Sequence, residues 1–326
     1  MNADQSTDFK GWLPVDAVVV DGRPGLVWME MSGVNLTEPF FQQTVERARR
    51  EGRAERFTEF DVLLQFEKEL DSVEPTGFIF HSSRCGSTLV ANACRAVSSS
   101  IVLSEANAID TLVARFITDA DNEVKESLYS VFLRGVVHAL AQRRSNERHL
   151  FIKFACCSFA QLERIKRIWP GVPWLFLYRD PVETIVSNMR DVPPWLIDND
   201  TRVLSAIIGD SGEMSLEERC ARTIGSLYST AYKLANGNSM LLNYKQLSVP
   251  VIARILNFFN VSLSSEELET IARTSGVYSK EVSGTRAFVS DADAKQKLAS
   301  DTAREMSERW AEEPYRLLEQ KRNANQ

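Results

Sequence analysis

Five short apolar runs, each followed by a helix-forming stretch, constrain this chain more than any other feature. They lie at 77–81, 101–103, 150–154, 173–178 and 239–243, with helical patterns between them at about 87–97, 107–119, 122–143, 158–168, 181–190 and 215–236. Trp174-Leu175-Phe176-Leu177-Tyr178 is typical: it has no polar alternation, so it suits a strand covered on both faces. Strands and helices in alternation predict an α/β fold, a parallel sheet covered by helices on both faces. Ligands of such sheets bind beyond the carboxyl ends of the strands. This places Ser82–Thr88, Glu105, Lys153 and Arg179 on one rim.

Residues 1–74 read as an N-terminal appendage to a main domain at 75–326. The β-prone runs Val15–Val20 and Leu26–Met31 flank Asp21-Gly22-Arg23-Pro24-Gly25, which predicts a hairpin. Thr37 is expected to cap a helix from Glu38 to Arg50, with Pro39 in its first turn, and a second helical pattern covers Phe60–Leu70. Beyond the sheet, helices are expected at 246–258, 264–275 and 299–321. The polar stretch Ser279–Lys297, with Lys280, Arg286 and Lys295, is expected to fold over the rim as a lid.

The formal net charge of −6 argues against a general nucleic-acid surface. No apolar run reaches the roughly 18 residues of a membrane span. Met1–Lys10 is polar, with Asp4 and Asp8, unlike a secretory signal. The five cysteines are odd in number and lack C-x-x-C spacing, so a disulfide framework or zinc site is not expected and a cytoplasmic setting is. Three histidines are too few for a His-rich metal centre.

The stretch Gly77-Phe78-Ile79-Phe80-His81-Ser82-Ser83-Arg84-Cys85-Gly86-Ser87-Thr88-Leu89-Val90 reads as strand, tight turn and helix start. Backbone N–H groups and a helix N-terminus converge there, which suits an anion. Arg84 adds forked, charged donors. The turn is neither G-x-x-x-x-G-K-[ST] nor G-x-G-x-x-G, since no lysine follows Gly86. A nucleotide-dependent kinase is therefore the weaker alternative. A second charged tip is Tyr178-Arg179-Asp180-Pro181, with Pro181 suited to a first helical turn and Ser187 two turns on.

Together the two segments resemble the PAPS-dependent sulfotransferase superfamily. Ser83-Arg84-Cys85-Gly86-Ser87-Thr88-Leu89 is similar to its 5′-phosphosulfate loop, and Arg179 with Ser187 to its 3′-phosphate motif. The resemblance covers roughly residues 75–290. It implies the P-loop NTPase-like sulfotransferase fold, with 3′-phosphoadenylyl sulfate (PAPS) as co-substrate and no metal. Ser83, Arg84, Cys85, Gly86, Ser87 and Thr88 would hold the phosphosulfate, and Arg179, Ser187 and Lys280 the nucleotide. Cys85 departs from the usual Ser or Thr. The histidine base of many cytosolic members is absent, because Ala155 stands two residues after Lys153. Glu105, after the second strand, resembles instead the carboxylate of the tyrosylprotein and bacterial branch, and is the candidate base. Lys153 and Arg84 would act on the transferring group, while His81 is read as a strand-end residue outside the site. Residues 1–74 and the loop 191–214 are expected to frame the acceptor pocket. The acceptor, whether small molecule, glycan or peptide, and the oligomeric state are not readable from the sequence. A non-catalytic PAP- or PAPS-binding module remains the other alternative.

Overall fold

The computed structural model describes residues 8–68, 70–118, 123–197, 201–209, 213–275 and 292–324. Strands β1 (Trp12–Val20) and β2 (Arg23–Glu30) form the expected hairpin. Asp21 and Gly22 turn it with φ of 50° and 76°, the left-handed pair that matches strand twist. Helix α1 (Phe41–Arg50) starts later than Thr37 would cap it. Gln43 accepts from the Phe40 N–H at 3.1 Å, while Glu38 is drawn away to Thr44 and Arg47 at 2.6 and 2.5 Å. Strand β3 (Glu55–Glu59) then joins β2 antiparallel, and Phe60–Lys68 winds as a 3₁₀ stretch.

The main sheet follows. Strands and helices run β4 (Pro75–His81), α2 (Ser87–Arg95), β5 (Ser100–Ser104), α3 (Asn107–Thr118), α4 (Glu123–Leu140), β6 (His149–Lys153), α5 (Leu162–Ile168), β7 (Trp174–Tyr178) and α6 (Pro181–Arg190). Then come α7 (Pro194–Ile197), α8 (Thr201–Ile208), α9 (Leu216–Leu234), β8 (Ser239–Asn243), α10 (Val249–Phe258) and α11 (Ser265–Ser275). Three helices close the chain, α12 (Ala292–Leu298), α13 (Asp301–Trp310) and α14 (Glu312–Ala324). The stretch expected as a single helix at 299–321 divides at Ala311. There the chain crosses Gly225 of α9 so closely that a Cβ on Gly225 would lie 2.1 Å from the Trp310 carbonyl oxygen. The expected lid at 279–297 is in part helix α12, whose Lys295 is buried and whose Gln296 donates to Asp180 at 3.0 Å. Lys280 and Arg286 fall outside the described residues.

Strand order is β5-β6-β4-β7-β8, all parallel. Both faces are dry, as the apolar runs require. Phe78, Phe80, Trp174, Phe176 and Tyr178 point into one core, and Ile79, Leu175 and Leu177 into the other, the two-residue alternation of a strand. The first core also takes in Leu13 and Trp28 of the N-terminal strands. Gln142 fastens that edge, accepting from Gly11 N–H at 2.9 Å and donating to the Trp12 carbonyl at 2.8 Å. The connection from β6 to β7 crosses to the other side of β4, so the ligand crevice of this topology falls at the tip of β4.

Candidate active site

At that tip Ser83 and Arg84 hold φ of 71° and 51°, and Gly86 of 85°. The turn of left-handed residues points successive amides into one concavity. Among the described residues, no backbone carbonyl takes the N–H of Arg84, Cys85, Gly86, Ser87 or Thr88, although the Ser87 N–H also faces the Cys85 thiol. Gly86, not Ser87 or Thr88, is the N-cap of α2, and both hydroxyl residues are buried in its first turn. Cys85 offers the concavity only its main chain. Its thiol is fully buried, donates to the Leu177 carbonyl at 3.2 Å, and is pushed up to about 11 by burial. Ser83 Oγ and Arg84 Nε donate to Asn188 Oδ1 at 3.0 and 3.3 Å, and Arg84 also pairs with the exposed Asp191 at 2.7 Å.

Arg179 leaves β7 beside this loop. Its Nη1 approaches the Arg84 carbonyl at 3.5 Å and its guanidinium lies 4.2 Å from the Tyr244 ring centroid. Nε donates to Glu183 Oε2 at 2.6 Å, both side chains being almost fully buried. Tyr228 fixes the main chain here by donating to the Arg179 carbonyl at 2.6 Å. Asp180 caps α6 by accepting from the Glu183 N–H at 3.1 Å, with Pro181 in the first turn. Ser187 lies one turn beyond Glu183 on α6, half-buried. The fold thus brings the two motifs, 95 residues apart, to one crevice.

Lys153 ends β6 and Glu105 follows β5, and these two pair directly, Nζ to Oε1. Lys153 is 1% exposed and sits 4.9 Å from the Phe40 ring centroid. His81 joins them. Its Nδ1 accepts the Ser83 N–H at 3.1 Å, which in the neutral ring leaves the proton on Nε2, 3.4 Å from Glu105 Oε1. Burial alone would raise the Glu105 carboxyl, but the Lys153 charge and the His81 contact together hold it well below the usual carboxylate range. The strand-end residue His81 thus stands beside Glu105 and Lys153.

Glu105 also lines a cavity of about 600 Å³. Phe40 and Gln42 reach it from the N-terminal residues, and Pro194, Trp195 and Leu204 from the loop region. Asp110, in α3, forms part of its wall, a second carboxyl that the motifs gave no reason to single out. No group of three or more His, Cys, Asp or Glu side chains is placed to hold a metal among the described residues. Nor is any described helix long and apolar enough to cross a membrane.

No protein-family model and no curated protein matches the sequence. Solved structures are similar at low identity. A sulfotransferase domain from the curacin biosynthetic pathway shares 15% identity over 77% of this chain and 98% of its own, with a TM-score of 0.42. For mouse sulfotransferase SULT7A1 complexed with PAP the values are 12%, 81%, 96% and 0.43. For a sulfotransferase from Alicyclobacillus acidocaldarius they are 15%, 69%, 99% and 0.37. The structures to which this chain is similar include these three sulfotransferases.

Proposed function

We propose that the chain transfers the sulfuryl group of PAPS to a hydroxyl or amine of an acceptor. The observation that carries this reading is the Glu105–Lys153 pair, set at one rim with an amide-lined loop and opening on a cavity. The donor set fits the nucleotide. Loop amides that no backbone carbonyl takes, with Arg84, Ser87 and Thr88, suit a 5′-phosphosulfate, and Arg179 with Ser187 suits a 3′-phosphate. Charge-assisted bonds of roughly 1.5–3 kcal/mol each would hold such a polyanion. Lys280 would add to this from outside the described residues.

In the transfer, the acceptor oxygen or nitrogen bonds to sulfur as the bond from sulfur to the bridging 5′-phosphate oxygen breaks. The acceptor proton passes to Glu105, and PAP leaves with the electron pair. Glu105 is ionised at rest because Lys153 holds it low. When the Lys153 ammonium turns to the anionic sulfuryl group, Glu105 loses that partner and becomes the stronger base as the proton arrives. His81 Nε2 stands 3.4 Å from the same carboxylate. Positioning and electrostatics carry most of such a loose transfer.

Calorimetry with PAP and ATP, followed by an acceptor screen with labelled PAPS, tests the reading. PAP binding and label transfer that Glu105→Gln abolishes are expected. Tight ATP with no PAP binding overturns it in favour of a kinase, and PAP binding without transfer to any acceptor leaves a binding module.

A further inference from the structure

Asp110 is a carboxyl in the cavity wall that the transfer chemistry does not use. One of its oxygens is fixed: Oδ1 accepts from the Ala155 N–H and the Ser158 hydroxyl, each at 3.1 Å. Oδ2 has no hydrogen-bond partner among the described residues. The rest of the wall is amphipathic. Phe40, Trp195, Val113, Ile117 and Leu204 are apolar, and Arg115 and Cys157 are the other titratable neighbours besides Glu105. Burial chiefly, and then the Glu105 charge, push Asp110 up to about 7 against the pull of its two hydrogen bonds and of Lys153.

A site of this volume takes one small molecule, oriented by a few polar groups on apolar walls. Resting on the reading of the cavity as the acceptor pocket, the geometry points to Asp110 as the residue that selects the acceptor. It receives a second hydrogen-bond donor, hydroxyl or ammonium, of a small amphipathic alcohol or amine whose reacting group meets Glu105. An acceptor oxygen in the cavity wall left without its donor penalises ligands that lack one.

The test uses the full chain, with and without PAP, and three probes: octanol, the α,ω-octanediol and the α,ω-amino alcohol of the same length. Calorimetry should show the diol and the amino alcohol binding about tenfold or more tighter than octanol at alkaline pH. The preference for the amino alcohol should shrink as pH falls through about 7, where Asp110 takes up its proton. Asp110→Asn keeps the Oδ1 acceptor for Ala155 and Ser158 but replaces Oδ2 by a donor. It should erase the amino-alcohol preference and its pH dependence. Equal binding of the three probes to the wild-type chain overturns the proposal, as does an unchanged preference in Asp110→Asn. PAP titration reports the donor site separately. If PAP fails to bind, the sulfotransferase reading falls, while the three probes still decide Asp110.

Discussion

Glu105 and Lys153 are joined twice, by main chain and by side chain. The Glu105 N–H donates to the Lys153 carbonyl at 2.7 Å, and the Glu105 carboxylate takes the Lys153 ammonium. The first bond fixes where the carboxylate stands, and the second holds it ionised. Glu105 itself holds a left-handed φ of 51°, unusual for a residue with a side chain.

Glu105→Gln removes the proton acceptor but keeps the shape. Turnover should fall roughly a hundred- to ten-thousandfold, while PAP binds at least as tightly, because Lys153 is released to the ligand. Single-turnover assays with labelled PAPS beside PAP calorimetry check both. Wild-type turnover in this variant would remove Glu105 from the mechanism.

Arg179→Ala should abolish PAP binding and also leave Glu183, whose side chain is 2% exposed, with only the more distant Lys245 at 4.0 Å as a charge partner. Breaking a buried pair costs about 3–5 kcal/mol, which a denaturant titration resolves. The double change Arg179→Met with Glu183→Leu should restore most of the stability and none of the PAP affinity. Restored affinity would mean that Arg179 acts only on the fold.

Gly86→Ala meets two obstacles. The φ of 85° strains any L side chain, and the new Cβ would lie 2.4 Å from Leu247 Cδ1 and 3.2 Å from Tyr244 Cδ2. A loss of about 1 kcal/mol or more in stability should accompany weaker PAP binding, read from the same calorimetric titration.

Asp110 and Glu105 should bend the pH–stability curve in opposite senses. The depressed Glu105 contributes stability above its unfolded value, about 4.3, that is lost as pH falls through its folded value. The raised Asp110 contributes stability below about 4 that is lost as pH rises through about 7. The melting temperature of Asp110→Asn relative to wild type should therefore rise between about pH 4 and about pH 7, the window set by the unfolded and folded values of Asp110. A flat difference would place Asp110 in an ordinary solvated state.

Phe40→Ala and Trp195→Ala enlarge the cavity, the first also removing the ring beside Lys153. Acceptor KM should rise or acceptor choice broaden, with the PAP affinity unchanged. A shift in PAP affinity alone would show that the cavity is not the acceptor pocket.

The parallel strands were legible because each is a run with no wet face: the expected 239–243 and the observed β8 coincide, and 77–81 differs from β4 only at its start. Strand β3 was hidden by its composition, Glu-Arg-Phe-Thr-Glu, which never becomes fully buried and pairs only along β2. The break at Ala311 depends on a crossing with Gly225, a contact across 86 residues with no local signal. In the site, motif spacing carried Arg84, Lys153 and Arg179 to the rim. The approach of His81 to Glu105 was not legible because it rests on a main-chain N–H of Ser83 that orients the ring, nor was Asp110, whose proton affinity comes from desolvation by distant elements. Neither effect leaves a mark in the order of residues.

Ser83, Arg84 and Gly86 hold left-handed backbone within four positions of the chain. Strain of this kind, of order 1–3 kcal/mol for each non-glycine residue, is imposed when the sheet assembles and not when a ligand arrives. A polyanion of the proposed kind would therefore find its receptacle already shaped. Its capture should be a single exponential whose rate is linear in ligand concentration, without a slow isomerisation phase. Ser83→Gly would relax the free loop and bring such a phase into view.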